Sequence, residues 1–475
     1  MSYGIYIGRN HTADGRSYLA GYGDEPSSHW LEIHPAREYP SGATISVGVT
    51  PQADMPGYLS QIPQAPITAR NIRVSYSYYL GAPAPLTNGG LNEHGVAVRD
   101  IWSTSRSELI DMTPKDQSGP NYSDLARIII ERAKTAREGV DLIAQLIAEH
   151  GYSSYGGNSH LIADPDEAWV VIEFAGGKGL WVAERLGPDS IRASRPGYIG
   201  DIPSQPNDDF IFPAHFFDTA TEHGWHDPTN GVFNVNAIYG DGKGRWAGVK
   251  WIESVMQERA ERPQKITLED VFWSINTQKL TGDTAGYGQV VPLLHLKYTA
   301  LRMMWFAPVG AVTSPLLPVF LGQTSVPAEY QQHRYLTNGE GHRFQDIRKA
   351  MATADSVSLV SQGIETAGSA VYAYKRLMHL AFQNPETILK EVRAHWSNVE
   401  SNTNAELQDI VRIASVLLEA NEPELAAQVI TTFSHRNLEE ALADCRALAE
   451  AAYLRMKAAG ELNLKNTPLS LDQLW

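Results

Sequence analysis

The sequence predicts an α+β protein in which helices cover antiparallel sheets, with an α-helical C-terminal part. Three observations predict it. Short stretches rich in Tyr, Ile and Val, separated by turn signals, open the chain and return near residue 159. Two amphipathic helix patterns interrupt them, and helices inserted between groups of strands make a layered domain. From about residue 341 the character changes to helix patterns alone.

Taken in order, "SYGIYIG" and "RSYLAGYG" read as two strands of a hairpin, with Asp14-Gly15 as its turn signal. "ATISVGV", "IRVSYSYYL" and "GVAVRDIW" read as further strands. Residues 51–70 are Pro-rich and polar and read as a long surface loop. "NYSDLARIIIERAKTA" is a helix with Ser123 as its cap. "TAREGVDLIAQLIAEHG" carries a capping box, Thr135 three residues before Glu138, then the apolar stripe Leu142, Ile143, Leu146 and Ile147, and Gly151 ends it. Two or three strands follow around the turns "DPDE" and "GGKG". Beyond residue 341 six separate helix patterns appear, from "FQDIRKAMATADSVSLV" to "LEEALADCRALAEAAYLRMKAAG", irregularly spaced and forming no repeat array.

Composition narrows the function. The 475 residues carry a net charge of -15, which argues against nucleic-acid binding, where a basic face supplies most of the affinity. The single cysteine, Cys445, cannot form an internal disulfide and sits in a helix pattern, as a buried packing residue would. No run of about 18 apolar residues suggests a transmembrane helix. "MSYGIYIGRN" lacks the basic start and long apolar stretch of a signal peptide, so a cytoplasmic location is the expectation.

No P-loop, dinucleotide fingerprint or G-x-S-x-G elbow is present. The fifteen histidines show no zinc spacing; His29 and His34 in "HWLEIH" would point to opposite faces of a strand. Neither a metal nor a cofactor is expected. What remains is the N-terminus. Removal of Met1 would leave Ser2 with a hydroxyl and a free α-amine on one carbon. Such an amine titrates near pH 8 and can act as the base that a serine hydroxyl lacks. A carboxylate must orient it, and Asp24 lies where the second hairpin strand returns to Ser2. The bland alternatives are a solvated second residue and an aspartate that caps a turn.

Four stretches then carry a resemblance: "SYGIYIGRNHTADGRSYLAGYGDEP", "TNGGLNEHGVAV", the helix–helix–strand segment from "DLARIIIERAK" to "GLWVAERL", and "LRMMWFAPVGAVTSPLLPVF". In order and spacing the chain resembles the N-terminal-nucleophile (Ntn) dipeptidases related to dipeptidase A. Secernins are cousins of these, and penicillin V acylases and bile-salt hydrolases are more distant relatives. The resemblance covers roughly residues 2–340 and implies an αββα sandwich there, with residues 341–475 as a helical region. It implies hydrolysis of an amide bond in a dipeptide or short peptide through an acyl-enzyme. Ser2 matches the nucleophile and Asp24 the aspartate that holds its amine. Arg245 in "GKGRWAG" matches an arginine that supports the nucleophile, or is a surface arginine in a Gly-rich turn. Asn92 in "GLNEHG" is a substrate-binding candidate or a turn residue.

The chain also departs from the family. Its nucleophile is normally cysteine, and here it is Ser2, either native, a replacement, or the mark of a relative without activity. Three positions before the aspartate the family commonly has arginine; here it is Gly21. Where relatives place an oxyanion-donating asparagine, "ASRPGYIGDI" presents Arg195. That guanidinium could stabilise an oxyanion or bind a substrate carboxylate, or be an ordinary loop arginine. The expected partner is a small peptide or amide substrate, with no membrane and a possible homo-oligomer. An acylase acting on a specialised metabolite, and an inactive binding or scaffold protein, are the competing readings.

Overall fold

Strand Tyr3–Ile7 starts one residue after Ser2, and all five of its residues are buried. It pairs on both sides, with Ser17–Gly23 in the register Tyr3↔Tyr22 and with Ile191–Ser194 in the register Gly4↔Ser194. The computed structural model describes residues 2–23, 29–76, 82, 83, 85–331 and 368–462. Within them, that pair of ladders forms one side of a six-stranded antiparallel sheet. Its order is Ile191–Ser194, Tyr3–Ile7, Ser17–Gly23, Tyr287–Leu293, Met303–Ala307, Leu317–Phe320. A second antiparallel sheet of eight strands runs Phe210–Ile211, Trp181–Leu186, Ala168–Glu173, Asn158–Ala163, Ala97–Trp102, Leu86–Asn92, Asn71–Tyr76, His29–His34.

The period-2 alternation sorts side chains between these layers. Tyr6, Leu19, Val291 and Phe306 of the first sheet meet Ala97, Ile101, Leu161 and Val170 of the second in a core between the sheets. Tyr3, Ile5, Ala20, Tyr22 and Trp305 face the other way, onto helices Ala247–Ala260 and Leu268–Asn276. Val98, Ile162, Trp169 and Val171 face helices Tyr122–Arg132 and Ala136–His150. The result is helix, sheet, sheet, helix, the layered αββα arrangement expected, with helices Ala370–Gln383, Lys390–Glu419 and Pro423–Ala459 following. These last helices join the core between the sheets through Tyr374, Leu377, Trp396 and Leu438. Trp396 Nε1 donates to the Thr313 carbonyl at 2.8 Å, and Glu400 accepts from the Leu316 N–H at 3.0 Å.

Several local expectations change. Residues 51–70 are not all loop: Ser60–Pro63 pairs with Thr44–Val47, and Ile62 is buried in the core under the second sheet's helices. Helix Tyr122–Arg132 is capped by Asn121, which exchanges hydrogen bonds with Asp124; Ser123 instead accepts from the Thr87 N–H at 2.5 Å. Helices Ala247–Ala260 and Leu268–Asn276 lie in a stretch read without helices. The patterns "PETILKEVRAHW" and "AELQDIVRIASVLLEA" merge into one helix from Lys390 after a π-turn at Pro385–Leu389. "PELAAQVITTF" and "LEEALADC" merge into another. "FQDIRKAMATADSVSLV" lies outside the described residues.

Candidate active site

Antiparallel registers fix which strand termini share one end of the sandwich. Strand Tyr3–Ile7 starts at the same end where Ser17–Gly23 stops, because Tyr3 faces Tyr22, and where Tyr287–Leu293 starts, because Gly23 faces Tyr287. A Cβ on Gly4 would lie 2.7 Å from Ile101 Cδ1 and 2.8 Å from Leu161 Cδ1, so the end of strand Ala97–Trp102 lies level with them. Ladders of the second sheet bring the starts of Asn158–Ala163, Leu86–Asn92 and His29–His34 and the end of Ala168–Glu173 to that same end. These eight strand termini ring one mouth, and Ser2 sits there. It is 5% exposed, withdrawn from solvent rather than trailing into it. Continuing the alternation from Tyr6 and Gly4 puts Ser2 on the face between the sheets. Asp24, the residue proposed to hold its amine, lies outside the described residues.

The mouth is polar and buried. His29 stacks between Tyr76 and Tyr287, with ring centroids 5.3 Å away in each case, and its Nε2 is 3.2 Å from Asn88 Nδ2. Arg99 donates to the Asn88 carbonyl at 2.5 Å, to Asp100 Oδ1 at 2.6 Å and to the Tyr22 carbonyl at 2.8 Å. Gln289 donates across the gap between the sheets to the Val98 carbonyl at 3.2 Å and accepts from the Tyr287 hydroxyl at 3.0 Å. On the helix-covered face of the second sheet, His160 Nδ1 meets Glu173 Oε1 at 2.8 Å, and its Nε2 meets the Tyr122 carbonyl at 3.0 Å. Burial pushes the Glu173 carboxyl up. Burial alone would lower His160, but the adjoining Glu173 charge reverses this and raises it.

Arg195 is buried on the opposite, helix-covered face of the first sheet. It donates to the Tyr22 hydroxyl at 2.5 Å and the Leu280 carbonyl at 2.7 Å, and it lies 4.7 Å from the Trp246 ring centroid. Tyr22 in turn stacks on Tyr3 at 5.3 Å. Burial pushes the Tyr22 phenol up and Arg195 draws it back; burial, then the Tyr22 and Glu253 charges, push Tyr3 up. Arg245 pairs with Glu253 and reaches the Ala193 carbonyl at 3.4 Å, which sets it alongside Ile5 rather than Ser2. Asn92 is at the far end of the sandwich. Its amide donates to the carbonyls of Ile130 and Ala133 and accepts from the N–H groups of His94 and Val96. Its surroundings are those of a turn residue. The structure therefore gathers Ser2 and Arg195 at one end, on different faces, and leaves Asn92 away from both. Arg99, Asp100, Asn88 and the His160–Glu173 pair were not singled out from the sequence, and His29 was weighed there only as a metal ligand. The available signal was a charge at Arg99, in register with apolar Ala97 and Ile101. Among the described residues no group of three His, Cys, Asp or Glu side chains is placed to hold a metal ion, and no helix is long and apolar enough to cross a membrane.

A model of Peptidase family C69 matches residues 59–245. "Probable dipeptidase B" of Streptococcus pyogenes is 30% identical over 153 residues, 32% of this chain and 30% of that protein. "Probable dipeptidase B" of Lactococcus lactis is 22% identical over 271 residues, 53% of this chain and 55% of that protein. A "Dipeptidase" of Bifidobacterium longum is 26% identical over 214 residues, 41% of this chain and 37% of that protein. The chain thus spans about a third to about half the length of these relatives. A conjugated bile acid hydrolase from Clostridium perfringens aligns at a TM-score of 0.29 and 8% identity, over 68% of this chain and 94% of that one. The family match and the dipeptidase relatives bear out the resemblance to dipeptidase A-like peptidases.

Proposed function

We propose that the chain is a peptidase that cleaves the amide bond of dipeptides or short peptides, with Ser2 as an N-terminal nucleophile. The observation that carries the reading is the burial of Ser2 at the ringed mouth, at the head of a strand laddered on both sides. The dipeptidase relatives supply the substrate class. Once Met1 is removed, the Ser2 hydroxyl attacks the scissile carbonyl and its proton passes to the Ser2 α-amine. Collapse of the tetrahedral intermediate breaks the C–N bond, and the α-ammonium protonates the departing amine. This leaves an ester on Ser2. Water, deprotonated by the same amine, attacks the ester; the acid leaves and the hydroxyl is restored. Asp24 orients the amine in this scheme. Arg195 acts from the helix-covered face, through the Tyr22 hydroxyl it holds.

Intact-mass measurement tests this. The purified protein should lack the mass of Met1. On brief exposure to an activated aryl ester it should gain one acyl group, mapped by peptide analysis to Ser2. Ser2→Ala should neither acylate nor cleave dipeptides. Full dipeptide cleavage by Ser2→Ala, or by protein that retains Met1, would overturn the proposal.

A further inference from the structure

At the mouth, glycines of both sheets face the gap between them. A Cβ on Gly21 would overlap the Tyr3 carbonyl oxygen and lie 3.3 Å from Arg99 Cδ. On Gly89 it would strike Gln289 and Tyr287. Arg99, fully buried, enters the cleared space from the second sheet. The ladder between Leu86–Asn92 and Ala97–Trp102 ends at the pair Gly89↔Arg99. Beyond that rung the guanidinium replaces the missing strand-to-strand bonds. It donates to the carbonyl and side-chain oxygens of Asn88 and to Asp100, and it reaches over to the Tyr22 carbonyl of the first sheet. The Tyr287 ring lies 5.1 Å from it.

A buried charge is costly unless it is paired and hydrogen-bonded, and filling space here would need only an apolar chain such as Ile101. The cation instead ties three backbone segments together, one of them facing Tyr3, the residue next to Ser2. We propose that Arg99 is a positioning residue for the Ser2 site, its guanidinium bolting the second sheet to the Tyr22 carbonyl and so fixing the mouth around the nucleophile. This rests on the reading of Ser2 as nucleophile. Arg99 acts through Tyr22 and Asn88, whose positions set where the strand carrying Ser2 and its neighbour Ser17–Gly23 end. A displacement of about 1 Å in such a site can cost on the order of 100-fold in rate.

The experiment compares wild type, Ser2→Ala, Arg99→Lys and Arg99→Met/Asp100→Asn on unblocked dipeptides, with thermal unfolding followed in parallel. The double variant removes both charges together, so no lone carboxylate is stranded. It should fold, lose about 100-fold or more in kcat and keep KM within about threefold. Arg99→Lys, which keeps the charge but not the fork, should fall between it and wild type. A folded double variant with wild-type kcat, alongside an inactive Ser2→Ala, would overturn the role of Arg99 alone. Should the double variant not fold, wild-type kcat in Arg99→Lys overturns it equally. Full activity in Ser2→Ala would remove the nucleophile reading and this proposal with it.

Discussion

Asn92→Ala offers a test of which end of the sandwich does chemistry. The Asn92 side chain is fully buried and uses all four of its hydrogen-bonding positions. Its amide N–H groups cover the carbonyls of Ile130, at 3.1 Å, and Ala133, at 2.7 Å, where helix Tyr122–Arg132 has run out of its own donors. Its oxygen accepts from His94 and Val96, each at 3.0 Å, and shapes the turn into strand Ala97–Trp102. Alanine leaves four backbone groups without their partner. His94 is exposed and its N–H can turn to water, so three losses remain. At about 1 kcal/mol each, the cost is about 3 kcal/mol. Asn92→Asp separates the two halves of this account. It keeps the acceptor but sets a carboxylate against two carbonyls, so it should cost at least as much as alanine. If only the turn mattered, it would be nearly neutral. Urea unfolding followed by tryptophan fluorescence gives the stability loss, and dipeptide turnover at low temperature gives kcat, which should stay at the wild-type value. A stability loss below about 1 kcal/mol would refute the hydrogen-bond accounting. A collapse of kcat in stable protein would refute the placement of the site at the opposite end.

Two further outcomes follow from ionisable groups, Glu32 half-buried and Cys445 buried. Burial alone would raise Glu32, but the His34 hydrogen bond and the charges of His34 and Arg73 outweigh it and hold the carboxyl at about 2. A depressed folded-state value means the stabilisation is present above the unfolded value of about 4.3 and is lost as pH falls from there toward 2. Glu32→Gln should therefore be about 2 kcal/mol less stable than wild type at pH 7, discounted for partial exposure, with the gap closing by pH 2 in unfolding measured across that range; a gap constant with pH would refute it. Burial pushes the Cys445 thiol far up. It should resist a disulfide thiol reagent in native protein and react at one equivalent in denaturant, and rapid native labelling would contradict the packing described.

Much of this fold is legible in the sequence because period-2 and period-3.6 patterns survive burial. The first hairpin, the strands on either side of "DPDE" and helix Ala136–His150 with Thr135 as cap are of this kind. The reading fails where polar residues do tertiary work. "ESNTNA" breaks the helix pattern, yet the helix runs through it, because Thr403 turns inward to Asn437 at 2.9 Å. The Ser434 hydroxyl in "SHRN" likewise donates to the Pro318 carbonyl at 2.9 Å. Helix Leu268–Asn276 carries a readable capping box, Thr267 with Asp270, whereas Ala247–Ala260 begins behind Trp246 with no side-chain cap to announce it. Of the proposed site, Ser2 is legible because the chemistry proposed for it is local to one residue. Arg99 is not, because its meaning depends on a glycine nearly eighty positions earlier that leaves it room.

That dependence has a physical logic. A reactive group on a terminal residue is tethered by one peptide bond instead of two, so its position must come from its surroundings. Here strand Tyr3–Ile7 is held by ladders to Ser17–Gly23 and Ile191–Ser194 on either side. The Tyr3 ring is stacked on Tyr22 beneath it, and Tyr22 is pinned by Arg195 through its hydroxyl and by Arg99 through its carbonyl. Two guanidinium groups on opposite faces of one sheet thus grip the same residue, the one opposite Tyr3. On the proposed reading of Ser2 as nucleophile, serine makes that grip matter more than cysteine would. A hydroxyl is a weaker nucleophile than a thiol, which is partly ionised near neutrality, and it depends wholly on a base held in line with it. On that reading a site that runs on serine gains most from a rigid floor, which Arg99 supplies from the gap between the sheets and Arg195 from the helix-covered face.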